Sequence, residues 1–251
     1  MMNEKQQKNK EIRLDAYNDL SLWQMIPAGN GNGLKKLRVI VNSLLNGQAV
    51  KQDNKPFSLL LYGPTGKKTH MYAFLKALGV EYVQHSPASM LYTTMDLYEF
   101  LYGSMPDAAY IISDLNMLPS GNCKKLYQIL NHGYFSYMDS GGRRKDVPVL
   151  SLIIGSVKKL NMIPDIIINS FQFVVELGEY TEQQKSLIAY QRLRYSGIEI
   201  ESDEVLKKLI LLSPSDLEDL IKLLNLSVMV MINDTRNVLT VEDIRRGKEL
   251  W

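Results

Sequence analysis

Short, continuously apolar runs alternate with segments whose apolar residues recur at helical spacing through the first two-thirds of the chain, and beyond that only the helical pattern continues. Behind the glycine-rich segment Pro27 to Gly33, the residues Leu34, Leu37, Ile40, Val41, Leu44 and Leu45 predict an amphipathic helix ending at Asn46-Gly47. A polar loop, Gln48 to Lys55, follows. Phe57 to Tyr62 (FSLLLY) has no polar alternation, the pattern of a strand covered on both faces of a parallel sheet. Met71, Phe74, Leu75 and Leu78 then place a helix directly after it, stopping at Gly79. Further strands are predicted at Val80 to His85, Ala108 to Ser113, Val149 to Ile154 and Phe173 to Leu177, with helices at Met95 to Tyr102 and Cys123 to Leu130 between them. This alternation predicts an α/β domain whose parallel five-stranded sheet is flanked by helices.

After Leu177 the pattern predicts helices alone. Thr181-Glu-Gln-Gln is a capping box opening a helix to about Tyr195, and Ser202 caps a second to Leu212. Ser215-Asp216 opens a third through about Ile232, and Thr240-Val-Glu-Asp opens a last one ending at Trp251. The expected organisation is a flexible polar tail over 1–13, an α/β core over 14–178 and an all-helical domain over 179–251.

Composition narrows the classes of function. The chain has 251 residues, 45% hydrophobic and 22% charged, as an ordinary globular protein does, and its net charge of +2 gives no bulk attraction to nucleic acid or membrane. Residues 181–251 carry 10 basic and 12 acidic residues, so the excess of positive charge lies in the α/β part. The lone Cys123 and the three histidines His70, His85 and His132 make a poor set for a structural zinc site. With no apolar run near the ~18–20 residues of a membrane span, the expectation is a cytoplasmic protein without a membrane partner.

The candidate chemistry sits between first strand and first helix, at Gly63-Pro64-Thr65-Gly66-Lys67-Lys68-Thr69. A phosphate-binding loop belongs there, because backbone N–H groups at a helix N-terminus cradle anions. The working motif, G-x-x-x-x-G-K-[ST], sets six steps between first glycine and lysine. Here Lys67 is four steps from Gly63 and Lys68 is five, and the second glycine is replaced by a lysine. Three readings stand open: a tight turn with two solvated lysines, weak binding of nucleotide or another anion, and competent hydrolysis.

Taken together, LLLYGPTG, KALGV, AAYIISDLNML, LSLIIGSV and the helical tail resemble an AAA+ ATPase core and its lid, in particular the RuvB-like Holliday-junction branch-migration motors and the clamp-loader subunits. The resemblance covers roughly 17–251. It implies a P-loop-type sheet with an all-helical lid, ATP or ADP with Mg²⁺ as cofactor, a homo- or hetero-oligomer and DNA as a partner. It also exposes losses. The family's strand-end Asp-Glu pair, which holds the Mg²⁺ shell and polarises water, falls on Ser113 and Asp114, or on Asp114 and Leu115; either register lacks one carboxylate. The polar sensor falls on Ser156. The arginine offered to a neighbouring subunit would lie in Ile166 to Phe171, which contains none, and the lid arginine falls on Ser215 or Asp216. The family also carries a winged-helix domain after its lid, and this chain reaches Trp251 without one, which reads against autonomous DNA translocation.

A hairpin is predicted over Tyr134 to Pro148, turning at Ser140-Gly141-Gly142 and returning through Arg143-Arg144-Lys145. Its cations, with Lys158 and Lys159, are candidate contacts for nucleic acid or a partner protein; a solvated loop is the plain alternative. The sequence thus predicts a degenerate AAA+-like protein of DNA recombination or replication, a non-hydrolysing or weakly nucleotide-binding subunit or adaptor in which Asp114 is the one candidate catalytic residue. A divergent active ATP-driven DNA motor and a protein-interaction module unrelated to DNA are the alternatives.

Overall fold

The computed structural model describes residues 20–47, 55–101, 108–138, 141–213 and 216–251. The predicted tail over 1–13, the loop from Gln48 to Asn54, the Tyr102 helix end, Ser140 and Ser215 lie outside the described residues. Two compact units form, Ser21–Glu179 and Tyr180–Trp251, Leu20 belonging with the second.

The first unit runs α1 (Asn32–Leu45), β1 (Ser58–Tyr62), α2 (Lys67–Ala77), β2 (Val83–Pro87), α3 (Thr94–Leu101), β3 (Ala109–Ser113), α4 (Ser120–His132), β4 (Tyr134–Met138), β5 (Arg144–Pro148), β6 (Leu152–Val157), α5 (Asp165–Ile168) and β7 (Phe173–Glu176). Five strands make a parallel sheet in the order β2-β3-β6-β1-β7, and β4 with β5 forms a separate antiparallel hairpin. The continuous apolar runs follow from burial on both faces. Leu60, Tyr110, Ile112 and Ile153 face one core under α3, α4 and α5, while Leu59, Leu61, Ile111 and Ile154 face another under α1 and α2. Leu59, Leu60 and Leu61 are each fully buried, worth roughly 1.5–3 kcal/mol apiece.

Two strands start three residues later than their apolar runs suggest. Val80 N–H returns to Leu75 O, so the chain is still leaving α2 and β2 begins at Val83, not Val80. Val149 N–H is taken by Gly133 O, closing the base of the hairpin, so β6 begins at Leu152, not Val149, and continues through Gly155 and Ser156 to Val157.

The second unit runs α6 (Glu182–Tyr195), β8 (Glu199–Ile200), α7 (Asp203–Leu212), α8 (Leu217–Asn233), β9 (Val238–Leu239) and α9 (Val241–Glu249). It is not helical throughout: β8 and β9 pair in parallel, each too short to leave a sequence pattern. The capping boxes at Thr181 with Gln184 and Thr240 with Asp243 both form. Ser202 occupies the N-cap of α7, but its side chain makes no capping bond. The last helix ends at Glu249, and the Trp251 ring instead lies under the Lys222 and Lys248 ammonium groups, 4.9 and 3.9 Å from its centroid. Asp243 is fully buried and paired with Arg236. Burial pushes its carboxyl up, but the bonds from Arg236 and Thr240 more than offset this and leave it below the usual carboxylate range.

The end of β7 is approached closely from two sides. A Cβ on Gly33, in the first turn of α1, would stand 2.0 Å from Glu176 O, and one on Gly63 would stand 2.0 Å from Leu177 O. Backbone lies on backbone there, so no rotamer change relieves a larger residue. Gly33→Ala should therefore lower stability by about 1–3 kcal/mol, read as a shifted urea midpoint. Gly121→Ala, in α4 with open space around it, should be neutral or slightly stabilising, and equal effects would remove the backbone contact as the cause.

Candidate functional site

In an open parallel sheet the carboxyl ends of the strands are where ligands bind. Here β1 runs into the Gly63 turn and α2, β3 into Ser113 and Asp114, and β6 into Lys158 and Lys159. Gly63 has φ 145° as well as its contact with Leu177, and Gly66 has φ 79° at the N-cap of α2, so both glycines are accounted for by the turn itself. Lys67, the first residue of α2, folds back on the turn: its Nζ donates to Gly63 O at 2.7 Å and to Pro64 O at 3.4 Å. In the register that sets the motif lysine after Gly66, this is the ammonium a working phosphate loop sends to the phosphates; in the register that sets Lys68 before Thr69, Lys67 takes the place of the second glycine. Here it is not one of two solvated lysines; it closes the turn on itself. Thr65 is buried and Lys68 is exposed.

His70, one position beyond Thr69, is completely buried. Its Nδ1–H donates to Gly66 O at 2.8 Å, Nε2 is buried with no partner among the described residues, and burial pushes the imidazole pKa below its ordinary value. The residue braces the turn as a neutral ring. Only its place behind Thr69 hinted at this, and its type did not.

The neighbouring strand ends bring more polar groups together. His85 Nε2 on β2 lies 3.1 Å from Ser113 Oγ on β3. Burial lowers the His85 pKa most, the Lys68 charge lowers it further, and Asp114 partly offsets both. Lys68, His85, Ser113 and Asp114 therefore share one electrostatic neighbourhood. Asp114 has φ 54°, an uncommon conformation for a residue with a side chain, and begins a single turn over Leu115–Met117. Its two flanking positions hold a hydroxyl and a buried leucine. Leu115 packs against Gly155, where a Cβ would meet it at 2.5 Å, so no second carboxylate stands there. Ser113 stood in the sequence only as a stand-in for a carboxylate; its pairing with His85 was not legible, because it depends on the β2–β3 register. Nor was that of Tyr62, whose pKa is raised by burial and then by the charge of Glu176 and the hydrogen bond to it, across the β1–β7 pair.

The remaining candidates lie apart from this cluster or have structural partners. Ser156 is buried inside β6. Ile166 to Phe171 forms the end of α5 and a turn in which Ser170 Oγ donates to Ile166 O and accepts from Asn131. Asp216 caps α8 by accepting from Asp219 N–H at 2.8 Å. On the hairpin, Arg144 bonds Asp146, Phe135 is fully buried and Tyr137 packs on Tyr98 with ring centroids 4.4 Å apart. The hairpin aromatics are therefore largely occupied in packing, while Arg143, Arg144 and Lys145 stay exposed.

Among the described residues no group of three or more His, Cys, Asp or Glu side chains is placed to hold a metal ion. Lys67 is held by the carbonyls of its own turn, Asp114 stands between Ser113 and Leu115, and Lys68 is exposed. No helix among the described residues is long and apolar enough to cross a membrane.

The sequence matches no family profile and no curated protein. Solved structures do match its backbone. Thermotoga maritima RuvB, described as a Holliday junction branch migration motor, superposes with a TM-score of 0.70 at 15% identity, covering 92% of this chain and 73% of that one. A single-substitution variant of it reaches 0.74 at 16% identity, over 92% and 72%. The FIGL-1 AAA domain gives 0.61 at 16% identity, over 93% and 84%. The chain has the AAA+ fold. In this chain the Gly63 turn joins β1 to α2, and Ser113 and Asp114 end β3.

Because burial and Lys68 both depress His85, its folded pKa lies below the ~6.5 of an unfolded chain, so this group favours folding less as pH falls through that range. An NMR titration should show Lys68→Ala raising the His85 value and Asp114→Asn lowering it. Unchanged values in both variants would separate the three groups.

Proposed function

We propose that this AAA+-fold chain is a subunit or adaptor of a larger assembly that holds nucleotide or other anions weakly and does not turn them over. The observation that carries this reading is Lys67, whose ammonium is bonded to the carbonyls of its own turn. The arginine-free stretch from Ile166 to Phe171 and the missing second carboxylate support it. A trans arginine alone is worth roughly 10³–10⁵ in rate in phosphoryl transfer, so losing several such parts removes turnover. Gly63, Pro64, Thr65, Gly66 and Thr69 act here as a structural corner, and Lys68 is the residue left to meet an anion. Tyr180–Trp251 takes the place of the lid.

The likeness to a Holliday junction motor supports a role in DNA recombination or replication, within a homo- or hetero-oligomer whose active members supply the chemistry. Arg143, Arg144 and Lys145, with Lys158 and Lys159, are the cations available to a phosphate backbone. One observation favours the alternative of a divergent working motor: Asp114 is held in an uncommon conformation at a strand end, where its charge reaches His85.

Steady-state ATP hydrolysis separates the two. The purified chain should release phosphate no faster than a buffer control. A rate near the ~1 s⁻¹ lower range of enzymes, lost in Asp114→Asn, would establish the motor instead.

A further inference from the structure

Away from the strand ends, an open groove of about 510 Å³ runs between α1 and the sheet edge, lined by Lys35, Lys36, Val39, Ile40, Phe173 and Val174 among others. Its floor is apolar and its rim is cationic. Asn32–Leu45 contains no acidic residue, so neither lysine has a carboxylate on its own helix. Both stand in the first two turns, where the positive end of the helix dipole makes cations unfavourable. The third cation of α1 is already placed: Arg38 donates to Leu22 O and Trp23 O and lies over the Trp23 ring. Lys35 and Lys36 point to solvent and concentrate positive charge on one side of the groove.

The other side is a sheet edge. Among the described residues β7 has β1 as its single neighbour. Leu177 N–H donates to Tyr62 O, and bonding alternates along a parallel strand, so the Phe173 and Val175 amides turn toward β1 while that of Val174 turns to the open side. An unpaired edge beside an apolar floor is a template for an added strand. At the far end of the strand the edge is closed, because Gly33 lies against Glu176 O. The Glu176 carboxylate is taken up by the Tyr62 hydroxyl.

We propose that the α1–β7 groove binds a short extended segment of a partner protein, with acidic residues facing Lys35 and Lys36, apolar residues alternating with them on the floor, and backbone pairing at Val174. A nucleic-acid strand fits less well, since it brings no main-chain amides to the edge and would set its charged backbone against an apolar floor.

The test uses the full chain and a fluorescein-labelled octapeptide of alternating Asp and Val, with a Lys-Val octapeptide and an oligothymidylate as comparisons, all read by anisotropy. The Asp-Val peptide should bind at least 10-fold more tightly than either comparison. Lys35→Glu/Lys36→Glu should weaken it at least 10-fold. Val174→Pro, which removes the outward amide and leaves the amides facing β1, should abolish binding with the circular dichroism spectrum unchanged. Should that variant misfold, hydrogen exchange of the wild-type Val174 amide decides, slowing at least 10-fold on peptide addition. Equal binding of the Lys-Val peptide, preference for oligothymidylate, or a Val174 amide indifferent to the peptide would each overturn the proposal.

Discussion

The contact on which the first unit depends is the pressing of three backbone segments into one place at the end of β7. The first turn of α1 lies on Glu176 through Gly33, and the exit of β1 lies on Leu177 through Gly63, each with no room for a Cβ. Leu177 N–H also bonds Tyr62 O, so β1 and β7 are tied at the point where the turn begins. The α1 helix, the turn and the sheet edge are therefore positioned together. A displacement in one is transmitted to the others, because main chain cannot yield as a side-chain tip can.

This apposition accounts for the glycines of the turn on structural grounds. Gly63 and Gly66 persist because close approach and positive φ require them, so glycines alone do not argue for a ligand. The turn is short, its lysine is bonded to its own carbonyls, and His70 braces it from inside the core. What remains outward is Lys68, sharing its field with His85 and Asp114. One cation and one carboxylate on an open surface attract ions weakly, since water and salt screen them.

The sheet was legible because its strands are buried on both faces, and such strands carry no polar residue for three or four positions; FSLLLY and AAYIIS could hardly be anything else. Strand starts were less so. Val80 and Val149 are apolar and β-branched, yet each spends its amide on a helix exit or a hairpin base, and hydrogen-bond destinations leave no mark on composition. The pair β8–β9 spans two residues on each side and falls below any periodicity. At the site, the spacing of Gly63, Lys67 and Lys68 already announced a short turn. That Lys67 closes it, that His85 meets Ser113 and that Tyr62 meets Glu176 depend on register between strands distant in sequence.

The most direct test of the account is calorimetric titration of ATP into the full chain with and without Mg²⁺. A self-closed turn predicts weak binding, with Kd on the order of 1 mM or above, the same in either buffer and open to competition by inorganic phosphate. Micromolar binding that requires Mg²⁺ and is lost in Lys67→Ala would show that the lysine leaves its carbonyls for a nucleotide, and would contradict the account.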